Sequence, residues 1–268
     1  MNLQPSNQNR HALVIGGTRG LGRASVRALA AEGSTVSVIG RHAPNKSDEN
    51  IDGIQHWTLD IADTDQLLET LPDIILPNRP LTNLLFFQRY RGSEDAWAGE
   101  IETSLTVTRT IIENTIECFN TNLDCSILVI GSVASNFIAN EQPLSYHVAK
   151  AGISQLARYY AYVLGPKGIR VNSVSPGTII KEESEEFYSK NQPLRDLYNS
   201  IIPLGRMGTA IEIANVVTFL CSPKASFITG QDIVVDGGIS LQWHESMART
   251  LALRNDITVT RRFDGTDK

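Results

Sequence analysis

Tyr146 and Lys150 stand four residues apart, so on a helix they share one face. Of the seven tyrosines, only Tyr146 has a lysine at that spacing. A nearby ammonium favours the phenolate over the phenol. Ser132 follows the apolar run Ser126–Ile130, at the strand end where a parallel sheet carries its chemistry. The plainer reading of Tyr146 and Lys150 is a pair on a helix surface.

A second constellation is the glycine run Gly16, Gly20 and Gly22, with Thr18, Arg19 and Leu21 between them. A pyrophosphate needs backbone N–H groups aimed at it, a helix N-terminus behind it and no Cβ in its way. Glycines between a strand and a helix meet all three needs. The alternative is a turn that merely fits helix against strand. The strand after that helix ends in Ile39-Gly40-Arg41, without the carboxylate that usually accepts from the ribose hydroxyls of NAD(H). Arg41 and Arg19 suit a 2′-phosphate, because guanidinium groups match phosphate. NADP(H) is therefore favoured over NAD(H). Asp60 is a candidate for the adenine edge, and an N-cap role for it is equally open.

The elements that position these residues read as strand and helix in alternation. His11–Ile15 is a short buried strand, residues 23–32 a helix stopped by Gly33, and residues 34–39 a β-branched strand. Further strands are expected at 55–59, 84–87, 126–130, 170–174 and 232–235. Helices are expected at 64–71, 101–120, 145–164 and 211–220. This order predicts an α/β fold: a single Rossmann-type, doubly wound parallel sheet of about seven strands with helices on both faces. One domain is expected over 1–245, with 246–268 as an extension whose end reads as disordered and whose Met247–Leu253 segment reads as a short docked helix. Lys181–Pro203, charged and tyrosine-containing, reads as a lid or as a solvated helical excursion.

The chain has 268 residues, 41% hydrophobic and 20% charged, which excludes a disordered tail or a membrane bundle. A net charge of −5 with no basic stripe argues against a nucleic-acid partner. No apolar run approaches the ~20 residues that span a bilayer, and no membrane association is expected. The first ten residues are polar, with no signal-peptide core. Three cysteines (Cys118, Cys125 and Cys221) form no CxxC pair and read as buried thiols in the cytoplasm, with no metal site.

Together, the glycine run, Ser132 with Tyr146-x-x-x-Lys150, Arg170-Val-Asn-Ser-Val-Ser-Pro-Gly177 and Gly230-Gln-Asp-Ile-Val-Val-Asp-Gly-Gly238 resemble the short-chain dehydrogenase/reductase family. The resemblance is to its roughly 250-residue branch and runs from about His11 to Ser240. It implies an NAD(P)-dependent enzyme that interconverts a carbonyl and a secondary alcohol by hydride transfer. Tyr146 would be the general acid or base. Lys150 would favour its phenolate and bond the nicotinamide ribose, and Ser132 would hold the substrate oxygen. The implied cofactor set is Gly16, Thr18, Arg19, Gly20, Leu21, Gly22, Arg41, Asp60, Ile61, Tyr146, Lys150, Pro176, Gly177 and Thr178.

Three departures from the family pattern stand out. The usual Asn-Asn-Ala-Gly is Phe86-Phe-Gln-Arg89, followed by Tyr90-Arg91: either a rebuilt cofactor pocket or cations for an anion, of cofactor or of substrate. An Asn that supports a water chain to the lysine aligns with Ser104, seven residues after Trp97, so Ser104 joins the catalytic candidates. A Thr that contacts the carboxamide aligns with Lys181, with Thr178 as a substitute. These changes keep a second reading open, an NADP(H)-binding sensor or scaffold without turnover. The substrate is a small carbonyl or alcohol, for which Asn136, Phe137, Tyr188 and Tyr198 are candidate contacts. The family resemblance also implies a homodimer or homotetramer, to which Leu156, Tyr160 and Val163 would contribute unless they face the chain's own sheet.

Overall fold

His11–Ile15 is apolar on both faces and wholly buried, which is what a central parallel strand requires. This strand, β1, leads through the glycine run into α1 (Gly20–Ala31) and then β2 (Thr35–Gly40). The computed structural model describes residues 10–76, 80–92 and 95–254. Beyond β2 come β3 (Ile54–Thr58), α2 (Thr64–Ile75), β4 (Asn83–Phe86), α3 (Ala96–Ile101), α4 (Val107–Thr115) and β5 (Cys125–Ile130). The chain continues with α5 (Leu144–Leu164), β6 (Ile169–Pro176), β7 (Ile179–Ile180), α6 (Glu182–Lys190) and α7 (Gln192–Ile201). Last come β8 (Gly208–Thr209), α8 (Ala210–Leu220), β9 (Asp232–Val235) and α9 (His244–Arg254).

Seven strands form one parallel sheet in the order β3-β2-β1-β4-β5-β6-β9, and β7 pairs with β8 apart from it. Successive side chains of a strand point to opposite faces, so β1 supplies both cores. Leu13 and Ile15 pack with α2, α4 and α5, while Ala12 and Val14 pack with α1 and α8. The order reverses between β1 and β4. Rossmann sheets bind their ligands outside the strand ends at such a switch point.

Two expectations on the elements change. The helix expected at 101–120 begins earlier, at Ala96, because the Asp95 carboxylate accepts from the N–H groups of Trp97 and Ala98. It is also interrupted by a π-helical turn, Glu102–Thr106, that carries Ser104. The N-cap of α2 is Asp63, whose carboxylate accepts from Gln66 N–H, so Asp60 is free of that role.

Of the positions considered for an oligomer contact, Tyr160 is 5% exposed and donates to Glu113 Oε1 at 3.1 Å, and Leu156 packs on the core. Both face this chain's own sheet; Val163 remains at the surface with Tyr159 and Tyr162. Cys125 and Cys221 are buried, and Cys118 is half-buried. The 181–203 segment folds as α6 and α7, whose Tyr188 and Tyr198 meet edge to face. The short helix expected at Met247–Leu253 lies within α9 (His244–Arg254), and residues 255–268, where the disordered end was expected, lie outside the described residues. No helix among the described residues is long and apolar enough to cross a membrane.

Candidate active site

At the carboxyl end of β1, the glycines are there for close approach. A Cβ on Gly16 would stand 2.7 Å from Gln88 N, and one on Gly22 would stand 2.3 Å from Gly16 O. Gly20 has φ +54°, a conformation that side chains resist. The N-cap of α1, Arg19, makes no side-chain cap bond. The first N–H groups of the helix are therefore left for partners from outside it.

Three of the catalytic candidates stand at the carboxyl end of β5 and on α5. Ser132 stands just past β5, with its Oγ accepting from Ala134 N–H. Tyr146 and Lys150 lie on α5, as their spacing requires. Lys150 is 5% exposed and donates to Ile130 O at 2.7 Å, with its Nζ 5.7 Å from the centre of the Tyr146 ring. Burial pulls the Lys150 ammonium down to about 8; Glu100 opposes this, while Arg89 and Lys181 add to it.

All three line one cleft of roughly 520 Å³ with Gly20, Leu21, Gly22, Pro176 and Gly177. A second cavity of roughly 300 Å³ is lined by Gly16, Thr18, Arg41, Asp60 and Ile61. Arg19, Phe87, Gln88, Arg89 and Arg91 line both, so the two form one groove running from Arg41 to Tyr146. The groove joins a cation-rich end, a glycine cradle and a phenol. The residues present thus fit a phosphorylated dinucleotide laid along it.

The departures acquire a geometry. Phe86 is buried in the core. Gln88 turns its amide away to Thr108 Oγ1 at 2.7 Å and to Thr103 O at 3.3 Å. Arg89 reaches Gln142 Oε1 at 2.6 Å and lays its guanidinium 4.5 Å from the centre of the Tyr146 ring. The bulky segment therefore walls the groove without closing it.

Ser104 donates to Glu100 Oε2 at 3.0 Å. Glu100 is 3% exposed and lies 3.8 Å from Arg89 Nε. Sequence reasoning missed Glu100; its only signal is the i, i+4 spacing to Ser104. Thr178 is not part of the cleft wall, and its carbonyl accepts from Gly208 N–H. Lys181 and Ser184 line the cleft, as does Tyr188. Phe137 lies instead against His244.

Known proteins resemble this chain over most of its length. A family profile described as enoyl-(acyl carrier protein) reductase matches residues 16–240. The 3-oxoacyl-(acyl-carrier-protein) reductase FabG of Aquifex aeolicus is 32% identical over 248 residues, 87% of this chain and 98% of that protein. Isoepoxydon dehydrogenase patN of Penicillium expansum is 30% identical over 249 residues, 85% of this chain and 94% of that protein. The ligand-free aldohexose dehydrogenase of Thermoplasma acidophilum superposes with a TM-score of 0.78 at 25% identity, covering 88% of this chain and 96% of that one.

Proposed function

The chain belongs to the short-chain dehydrogenase/reductase family, and from that premise we propose that it reduces a small-molecule carbonyl with NADPH as preferred donor and Tyr146 as general acid. It is an NAD(P)(H)-dependent oxidoreductase acting on CH–OH groups. The observation that carries the assignment of residues is that Ser132, Tyr146 and Lys150 share one cleft with the glycine loop.

The nicotinamide, when bound, supplies the hydride to the carbonyl carbon. Ser132 would hold the carbonyl oxygen and stabilise charge that develops on it. Tyr146 would pass its phenolic proton to that oxygen, completing the alcohol; oxidation reverses both transfers. Lys150, buried and held at Ile130 O, keeps positive charge beside the phenolate that remains. Ser104, bonded to Glu100, supports this machinery rather than the substrate.

Arg19 and Arg41 on the groove wall, with no carboxylate at the end of β2, support the preference for NADP(H). Asp60 and Ile61 on the same wall would border the adenine end. We read a single cofactor-binding domain over 1–245 with 246–268 as an extension; the alternation from β1 to β9, His11–Val235, supports one domain. Exposed Tyr159, Tyr162 and Val163 on α5 would suit a homo-oligomer. Three free thiols suit the reducing cytoplasm.

The test is a fluorescence titration of the purified protein with NADPH and with NADH, followed by a carbonyl screen that follows NADPH oxidation. Tyr146→Phe is expected to abolish turnover and keep cofactor binding. Turnover that survives in this variant would overturn the assignment of Tyr146.

A further inference from the structure

Lys181 opens α6 with its side chain lying across the glycine loop: a Cβ on Gly20 would stand 3.3 Å from Lys181 Cδ. Two residues on, Glu183 Oε1 accepts from Gly20 N–H at 3.0 Å. That N–H is one of the donors that the first turn of α1 leaves to outside partners. A carboxylate from another element, 163 residues away, therefore sits where an anion at the cradle would sit.

The neighbouring Glu182 is held separately, by Arg23 and Arg27 on the flank of α1. Arg23 and Arg27 are in turn paired with Asp48. Glu182 thus ties α6 to α1, whereas Glu183 is exposed and makes its contact through a single backbone donor.

The charge around this point is one-sided. Arg19, Arg89, Arg91, Lys150 and Lys181 line the cleft, and Glu183 is the one carboxylate on its wall among the described residues. The crowding shows in Lys181, whose ammonium is pulled below its ordinary value by burial and then by Arg91 and Arg89. A dianion would relieve this repulsion.

Resting on the cofactor reading above, we propose that Lys181 and Glu183 form an exchange pair at the glycine cradle: the cofactor diphosphate takes the Gly20 N–H from Glu183, and Lys181 binds that diphosphate. Glu183 is a built-in competitor for the cofactor, and Lys181 is a cofactor-binding residue. The diphosphate is common to NADPH and NADH, so both effects are blind to the 2′-phosphate.

Fluorescence titrations of the full-length protein with NADPH and NADH test this. Lys181→Met is expected to raise both dissociation constants by about tenfold, the loss of one charge-assisted contact. The ratio between the two should be unchanged, and Lys181→Arg should restore most of the affinity. Glu183→Gln is expected to lower both constants several-fold. Thermal melts of each variant separate loss of binding from loss of folding. Binding that Lys181→Met leaves unweakened, or weakens for NADPH alone, would overturn the role of Lys181. Equal affinities in Glu183→Gln and wild type would overturn the competition. A wild-type protein that binds neither nucleotide would overturn the cofactor reading itself, and this inference with it.

Discussion

The guanidinium of Arg89 lies over the ring of Tyr146, 4.5 Å from its centre. Glu100 stands behind it, buried, with its carboxylate shared between Ser104 and Arg89. A cation on an aromatic face contributes about 0.5–2 kcal/mol, more as water is excluded. The contact also presses the phenol from one side. The arrangement makes Arg89 and Glu100 a unit: neither is well placed without the other.

Removing Arg89 should therefore destabilise the fold through Glu100. Arg89→Met leaves a buried carboxylate with Ser104 as its remaining neutral donor, at a cost of about 1–3 kcal/mol. The double variant Arg89→Met with Glu100→Gln should lose less than the sum of the two single losses. Urea unfolding of the four proteins measures this coupling.

Glu100 also bears on Lys150. The lysine titrates at about 8 with Glu100 holding it up, so Glu100→Gln should drop it further. Turnover that needs a charged Lys150 should fall as pH rises through about 8, and this limb should move to lower pH in Glu100→Gln. A pH profile of NADPH-dependent reduction by both proteins decides the point.

The same lysine carries a stability signature. Its folded-state value, about 8, lies below its unfolded value of 10.5, so the unfolded chain holds more protons between those limits. Stability from this group therefore rises with pH across that window and is lowest below it. Lys150→Met should stabilise the fold near neutral pH, by on the order of 2–3 kcal/mol. The gain should shrink as pH climbs from about 8 towards 10.5. Chemical denaturation at a series of pH values gives the curve.

Much of this site was legible in the chain and some was not, for a physical reason. Tyr146 and Lys150 are neighbours in sequence, and helical spacing alone puts them together. The glycine run is equally local. Glu100 was not legible because a glutamate three residues after Trp97 reads as a solvated helix position. Its burial depends on the π-helical turn at Glu102–Thr106 and on an arginine from another segment. Glu183 was hidden for the same reason, since its contact with Gly20 spans 163 residues. Asp60 shows the converse: its competing role vanished once Asp63 proved to be the cap.

Cofactor choice should respond to Arg41. Arg41→Ala should weaken NADPH binding by about tenfold or more while leaving NADH unchanged. The same two titrations reveal it, and the pattern is the opposite of that expected for Lys181.

Position 22 should tolerate nothing larger than glycine. Gly22→Ala would place a methyl against the backbone oxygen of Gly16, where no side chain can swing aside. Overpacking of this kind costs about 1–3 kcal/mol. A lower melting temperature together with lost nucleotide binding is expected.

Every neighbouring pair in the seven-stranded sheet is parallel, so no two strands can zip together as a hairpin. Each pairing waits for a crossover, and topologies dominated by such distant contacts fold slowly. The groove draws walls from the first βα turn and from α6, so it exists only once the late segments have docked. Nucleotide binding is then a reporter of completed folding. At a hundredfold excess over its dissociation constant, the cofactor would add about 2.7 kcal/mol to the finished state. Supply of the nucleotide during synthesis would thus raise the yield of folded protein before any carbonyl is reduced.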